Sequence, residues 1–202
     1  MAARPRLLVR MRAPVVAVVS LAALAAVAAR PQDPQRDAPL LRTAQQLAAI
    51  GPEHLRLQRL VGTWDVTWTT TSKGAGQRED RGQMVGTTML GGRHIALRFT
   101  MQLGGAPFEA MQLLGFDTLR QQYTSSWRDD LSTWAVDCVG PPRSDAPDQL
   151  ALAGTLFDAR DPTGRPFRLA LDLRDTKQVV AELNDTLDGR EHLVQTQRWT
   201  KR

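Results

Sequence analysis

Four aspartates are the residues best suited to acid–base chemistry. Asp117, Asp129, Asp130 and Asp137 are the only group of carboxylates that could serve as general acids or bases in an enzyme. All but Asp137 lie in or beside predicted turns, where aspartate is favoured because it accepts hydrogen bonds from its own backbone. We therefore interpret them chiefly as turn residues, and an enzyme with a carboxylate at the mouth of the fold stays the alternative.

The histidines and the single cysteine offer little metal or nucleophile chemistry. His54, His94 and His192 show no H-x-H spacing, and one cysteine makes neither a C-x-x-C pair nor an internal disulfide. We therefore expect ordinary surface histidines, no metal and no cofactor. Cys138 has no histidine close in sequence and shares its strand parity with Val136, which predicts a buried, unreactive thiol.

Tryptophan is the residue type that suggests a ligand site. The chain has five tryptophans within one predicted domain, and indoles line many binding cavities as well as many filled cores. Trp64 opens the first predicted strand and has a structural role in our interpretation. Trp68, on the same face, and Trp127 fit either a cavity lining or a filled core.

The elements that must position these residues are strands. From Trp64 to Trp199 apolar and polar residues alternate in short runs, and each run predicts a strand with one buried face. Strands are predicted at 63–71, 79–90, 93–103, 107–116, 122–128, 133–139, 149–158, 165–174, 178–184 and 191–200. Such a series favours a closed antiparallel barrel or a sandwich.

The connections between these strands are mostly tight turns. Gly91-Gly92, Gly104-Gly105 and Asp188-Gly189 are typical of hairpins, because glycine supplies a positive φ. Connections this short force neighbouring strands to be antiparallel. The sequence therefore predicts an all-β fold, a single antiparallel up-and-down β-barrel of about ten strands behind a short helical segment.

Alternation also predicts which side chains point into the barrel. We expect seven residues to line an interior that binds a small hydrophobic ligand: Trp68, Phe99, Met101, Met111, Leu113, Trp127 and Leu171. The last strand is ambiguous, because Gln195 and Gln197 share a face with Trp199, and this indicates that part of the interior is polar. Register between neighbouring strands cannot be inferred from alternation.

The N-terminus has the pattern of a secretory signal peptide. Arg4, Arg6, Arg10 and Arg12 precede an uncharged alanine-rich stretch at 13–29 that ends in small residues. We predict a signal peptide at 1–29, a polar linker at 30–39, a helical lead-in at 40–61 and the barrel at 62–202. The mature protein would be periplasmic or secreted, and anchoring by an uncleaved segment is the alternative.

Charge argues against a nucleic-acid partner. The whole chain carries 26 Lys and Arg against 21 Asp and Glu, a net charge of +5. Four of the arginines lie in the leader, so the remainder is near +1 and has no basic patch. We expect no nucleic acid and no membrane span after cleavage, and the sequence names no protein partner.

Two resemblances add to this interpretation. Gly62-Thr63-Trp64, together with Arg198 in the last strand, resembles the G-x-W…R signature of the calycins, the lipocalin and fatty-acid-binding barrels. This implies that Trp64 plugs one end of the barrel and that the Arg198 guanidinium stacks on it. The segments "GPEHLRLQRLVGTWDV", "MLGGRHI" and "PFEAMQLLGFD" resemble bacterial domain-of-unknown-function family 1579 over about 52–200. That family implies a fold and a compartment, and it implies no activity.

Calycin-related barrels also include the nitrobindins, which hold haem through one histidine. Those proteins have a glycine-rich continuation after G-x-W, whereas this chain continues Asp65-Val66-Thr67-Trp68, and only His192 could reach a pocket. We therefore favour an exported barrel that binds a small hydrophobic ligand. The alternatives are an envelope enzyme with a mouth carboxylate and a solid-barrel protein-interaction module.

Overall fold

The computed structural model describes residues 34–72, 76–159 and 161–202. The predicted signal peptide at 1–29 lies outside these residues. The chain divides into two units, one reaching Gln46 and the other running from Leu47 to Arg202. The second unit contains the barrel and the helix that enters it.

Two helices precede the strands. Helix α1 spans Pro34–Leu47, so it begins six residues before the predicted start at Leu40 and takes in part of the predicted linker. Pro34 stands at its first position, where a backbone N–H would have no partner within the helix, so proline loses no hydrogen bond there. Helix α2 spans Pro52–Gln58 and lies within the predicted helical lead-in at 40–61. Within the described residues, no helix is both long enough and apolar enough to cross a bilayer.

Ten antiparallel strands form one closed barrel, which confirms the predicted fold. Each strand pairs with its neighbours in the chain, and β1 closes the ring by pairing with β10. The strands are β1 Gly62–Ser72, β2 Gly76–Met89, β3 His94–Leu103, β4 Ala106–Asp117, β5 Gln122–Asp129, β6 Val136–Gly140, β7 Gln149–Leu156, β8 Arg165–Asp172, β9 Gln178–Leu187 and β10 Arg190–Lys201. Closure leaves no sheet edge open to pairing with another chain.

The orientation of β4 differs from the prediction. Met111 and Leu113 were expected to point inward, but both are only partly buried, whereas their neighbours Gln112 and Leu114 are buried. Met111 pairs with exposed Arg98 of β3 and therefore lies on the outer face. The prediction was wrong because apolar residues occupy both parities of β4 while its inward set includes a glutamine.

One end of the barrel is closed by α2 and Trp64. Leu57 and Leu60 are each 1% exposed, as is Trp64, whose indole Nε1 donates to the carbonyl oxygen of Leu60 at 3.0 Å. A Cβ at Gly86 would lie 2.1 Å from that same oxygen. Only glycine therefore lets the link between α2 and β1 pass so close to β2.

Polar contacts fix α2 on this end. Arg56 donates to the Tyr123 hydroxyl at 2.7 Å and to Asp148 at 3.1 Å, and Arg59 donates to the same carboxylate at 2.9 Å. His54 is 4% exposed, so the expectation of a surface histidine was wrong for this residue. Its Nδ1 accepts from the Gly51 N–H at 3.1 Å, a capping contact at the start of α2.

The cation on the Trp64 ring is not the predicted arginine. The Lys201 Nζ lies 5.1 Å from the centre of the Trp64 ring, whereas Arg198 is exposed and pairs with Thr67. Successive side chains of a strand point to opposite faces. Because Trp199 points inward, Arg198 before it points outward, and Lys201, two residues after Trp199, is again on the inward side. Gly62, which opens the strand, has a positive φ of 127°, a conformation that glycine adopts readily.

Candidate ligand-binding cavity

The half of the barrel away from α2 contains a cavity of about 290 Å³. It reaches the surface beside Leu131, which follows β5 and is 69% exposed. Eighteen residues line it: Trp68, Leu103, Phe108, Gln112, Ser125, Trp127, Asp129, Leu131, Val136, Cys138, Leu156, Phe167, Leu169, Ala181, Leu183, Gln195, Gln197 and Trp199. Its volume lies near the lower end of the range of small-molecule sites, about 300–1,000 Å³.

Aromatic rings form a continuous wall of this cavity. Trp68 meets Trp127 edge to face at 6.0 Å, and it meets Phe108 in the same way at 5.7 Å. Phe99 packs behind the wall, 5.3 Å from Trp127 and 5.8 Å from Trp199. Edge-to-face contacts restrain both partners, so the indoles present a fixed apolar surface to the space between them.

A polar strip crosses the otherwise apolar lining. Gln112 Nε2 donates to Ser125 Oγ at 2.9 Å, and Trp199 Nε1 donates to Gln197 Oε1 at 3.0 Å. Gln195 also lies in the lining, so the polar interior inferred from the last strand is present. These contacts satisfy the polar atoms that they join, and the rest of the described lining is apolar except for Asp129.

The indole of Trp68 differs from its neighbours. Trp68 is 7% exposed, and its Nε1 has no hydrogen-bond acceptor among the described residues. Trp127 Nε1, in contrast, donates to Asp129 Oδ2 at 2.8 Å. A buried N–H without an acceptor is unfavourable, and the Trp68 nitrogen is also closed to solvent.

Cys138 lies in this lining as a poor nucleophile. It is 4% exposed, and burial raises the pKa of its thiol to about 12, against the opposing effect of its hydrogen bond with Ser125. Because the thiolate is the nucleophile, the thiol stays protonated at neutral pH. Its environment agrees with the buried, unreactive cysteine expected from strand parity.

The four candidate aspartates do not form one acid–base site. Asp117 caps the turn after β4 by accepting from the N–H groups of Leu119 and Arg120. Asp130 accepts from the Glu109 N–H at 3.1 Å, and exposed Asp137 hydrogen-bonds Ser126 on the outer face. Hydrogen bonds from Arg120, first from its backbone N–H, lower the pKa of Asp117.

Only Asp129 among the four lines the cavity. Besides Trp127 Nε1, its carboxylate accepts from the Leu131 N–H at 3.0 Å. These bonds position the turn after β5 and one indole of the wall. These hydrogen bonds therefore give Asp129 a structural role at the mouth of the cavity.

The histidines lie elsewhere. Of the described residues that line the cavity, none is a histidine: His54 belongs to α2 and packs against Phe116, and His192 is exposed near the start of β10. No imidazole is therefore placed to bind a haem iron in this cavity. Within the described parts of the chain, no three His, Cys, Asp or Glu side chains form a metal-binding group.

The structure separates the seven residues predicted to line the pocket into three sets. Trp68 and Trp127 line the cavity. Phe99, Met101 and Leu171 are buried in the core but lie outside the lining. Met111 and Leu113 lie on the outer face, as described above.

Sequence reasoning found the part of the polar strip in β10 and missed the part that β4 and β5 supply. The parity of Trp127 in β5 also places Ser125 inside, so that residue could have been found from alternation. Gln112 faces Trp127 across β4 and β5, and this pairing depends on strand register. A glutamine between leucine and methionine gives no signal of its own that it points inward.

Comparisons with known proteins agree with the barrel. The family model described as "Protein of unknown function (DUF1579)" matches residues 49–201. The crystal structure of Rv2717c from M. tuberculosis is similar, with a TM-score of 0.56 and 12% identity over 76% of this chain and 99% of that one.

A fluorescence-activating β-barrel designed de novo matches with a TM-score of 0.40 and 16% identity over 72% of this chain and 96% of that one. No curated protein matches the chain with significant similarity. The family match covers the whole barrel and the helix that closes it, and on that ground the chain belongs to the family described as protein of unknown function (DUF1579).

Proposed function

We propose that this protein binds a small hydrophobic ligand in the cavity of its barrel. The observation that carries the proposal is the cavity itself: about 290 Å³ of space between indoles, reaching the surface beside Leu131. A ligand that buries roughly 300 Å² of apolar surface there would gain on the order of 7 kcal/mol. Association costs reduce this gain, so we expect dissociation constants in the micromolar range or weaker.

The two alternatives have less support. An enzyme that uses a mouth carboxylate would depend on Asp129, whose oxygens already accept from Trp127 and Leu131. A solid barrel that serves only as an interaction module would need a filled interior, whereas the described lining residues surround a cavity. The geometry of the cavity therefore supports ligand binding better than it supports either alternative.

A cavity-filling variant tests the proposal. Ala181 of β9 lines the cavity, and Ala170 of β8 lies on the outer face between Leu169 and Leu171. We expect wild type to bind a solvatochromic apolar dye and to show quenching of tryptophan fluorescence. Ala181→Phe should weaken dye binding at least about tenfold because its ring occupies the ligand space, and Ala170→Phe should leave binding unchanged.

Urea melts of both variants verify that each is folded before binding is compared. Failure of folded wild type to bind the dye would overturn the proposal. Equal affinities of the two folded phenylalanine variants would show that the dye binds outside the cavity.

We also propose that the ligand is bound outside the cytoplasm. The support is the basic segment and alanine-rich stretch at 1–29, which has the pattern of a cleaved signal peptide. Intact-mass measurement of protein from fractionated cells should find a periplasmic or secreted form that lacks about the first 29 residues. Recovery of the protein mainly from the cytoplasm, with Met1 retained, would contradict export.

A further inference from the structure

One carboxylate stands in the wall of the cavity, close to its opening. Asp129 is the last residue of β5, and its partly buried side chain lines the cavity. Alternation places it on the same side as Trp127, since Arg128 between them is exposed. Its cross-strand partner is Ala110 of β4, which is 8% exposed. Asp129 therefore stands on the inner face, two residues before Leu131 at the opening, within reach of a molecule that enters there.

The carboxylate of Asp129 has acceptor capacity left over. A carboxylate offers about four acceptor sites on its two oxygens. Oδ2 accepts from Trp127 Nε1 at 2.8 Å, and Oδ1 accepts from the Leu131 N–H at 3.0 Å. Both donors are neutral, so they hold the carboxylate in place without cancelling its charge. Each oxygen can therefore accept a further hydrogen bond from a bound molecule.

No cationic side chain among the described residues neutralises this carboxylate. Arg128, its neighbour in the chain, lies 3.6 Å from Asp137 on the outer face. Arg165, on the inner face of β8, lies 2.8 Å from Asp185. Asp129 differs from these carboxylates, because no described lysine or arginine lies within ion-pairing distance of it.

This unpaired charge determines which polar group a ligand can bring to the mouth. The rest of the described lining carries no charge, since the Cys138 thiol, whose pKa burial raises to about 12, stays protonated. An anionic group would lose its hydration beside Asp129 and gain no cation, which is unfavourable. A protonated amine would instead gain an opposite charge and a charge-assisted hydrogen bond.

We propose, on the basis of the ligand-binding function above, that the cavity selects molecules that join an apolar body to a protonated amine, and that the Asp129 carboxylate binds the ammonium group. The apolar body occupies the space between the indoles, and the ammonium group stays at the mouth. An arylalkylamine has this chemistry. A fatty acid does not, although its chain would suit the apolar wall.

Three probes of similar shape test this inference: phenethylamine, phenethyl alcohol and phenylacetate, titrated by calorimetry at neutral pH. They carry an ammonium, a hydroxyl and a carboxylate group on the same apolar body. Because Asp129 is only partly buried, wild type should bind the amine about three- to tenfold tighter than the alcohol. Phenylacetate should bind weakest.

Two matched variants locate the charge that the amine recognises. Asp129→Asn keeps an acceptor for Trp127 and removes the charge. Asp137→Asn makes the same change outside the cavity lining, on a side chain of β6 that is 66% exposed. The preference for the amine over the alcohol should fall below about twofold in Asp129→Asn and stay as in wild type in Asp137→Asn. Urea melts verify that both variants are folded.

A measurement on wild type avoids dependence on either variant folding. The Trp127 indole N–H donates to the carboxylate that binds the ammonium group, so its resonance should move further with the amine than with the alcohol. The Trp199 N–H donates to Gln197, and its resonance should respond equally to the two probes. Equal responses of the Trp127 resonance to the amine and the alcohol would contradict binding at Asp129.

The outcomes separate this inference from the proposed function. If the alcohol binds but the amine is not preferred, or if phenylacetate binds tighter than the amine, the inference is overturned and ligand binding stands. The same holds if the preference persists in folded Asp129→Asn or is lost equally in Asp137→Asn. If no probe binds the folded wild type, both the inference and the proposed function fall.

Discussion

At the scale of single residues, Trp64 and Trp68 show how one face of a strand serves two purposes. Both point inward from β1, two pleats apart, and both are more than nine-tenths buried. Trp64 donates its N–H to the Leu60 carbonyl oxygen, whereas the N–H of Trp68 has no acceptor among the described residues. The first indole closes the barrel and the second lines the space that is left.

Truncation of Trp64 should therefore be costly. Trp64→Ala removes a ring that is 1% exposed together with its hydrogen bond to Leu60, so we expect a loss of about 3–5 kcal/mol in the free energy of unfolding. Trp134 is 42% exposed, and Trp134→Ala should cost about 1 kcal/mol or less. Urea melts measure both, and equal small losses would contradict the closing role of Trp64.

Several residues were placed correctly from sequence because alternation is unambiguous around them. Trp64, Val66 and Trp68 are separated by polar residues, and the structure buries all three. Met111 and Leu113 were misplaced because β4 has apolar residues on both parities. The unused N–H of Trp68 could not be predicted, since it depends on which neighbours lie within hydrogen-bonding distance.

At the scale of elements, we expect His54 to link the stability of α2 to pH. Burial, opposed by the charge of Glu53, lowers the pKa of His54, and His94 and Arg93 lower it further. The folded protein thus binds a proton on His54 less readily than the unfolded chain does. The unfolded chain takes up a proton at this histidine as pH falls below about 6.5, the ordinary pKa of histidine. The contribution of His54 to the free energy of unfolding is therefore fully present above that pH and decreases as the pH is lowered.

Replacement of this histidine should remove that pH dependence. We expect wild type to lose stability between about pH 6.5 and pH 5, and His54→Gln to lose less over the same interval, since glutamine does not titrate. His192→Gln, at an exposed position, should behave as wild type does. Urea melts across this interval measure the slopes. Identical slopes for His54→Gln and wild type would show that His54 does not link α2 to pH.

The existence and order of the elements could be predicted, whereas their pairing could not. Turn residues such as Gly104-Gly105 mark the ends of strands, and both have the positive φ that hairpins require. Lys201, and not the predicted Arg198, lies over the Trp64 ring because the register of β1 with β10 places Lys201 opposite Trp64. A one-residue slip inverts a strand, and alternation alone does not determine it.

At the scale of the whole molecule, the barrel is solid at one end and hollow at the other. Leu57 and Leu60 pack with Trp64 in the core at the α2 end, and the cavity begins beyond Phe99 and extends to Leu131. Ten strands enclose more space than their side chains fill, as expected for a barrel wider than the smallest ones. A mostly apolar cavity that reaches the surface suits a carrier of small molecules.

The central claim is that this cavity holds a ligand where the protein acts. Native mass spectrometry of protein extracted from the cells that produce it tests this most directly. We expect wild type and Ala170→Phe to retain a small hydrophobic molecule of one defined mass, and Ala181→Phe to be recovered without it. Recovery of bare wild-type protein only, or an adduct that persists in folded Ala181→Phe, would contradict the claim.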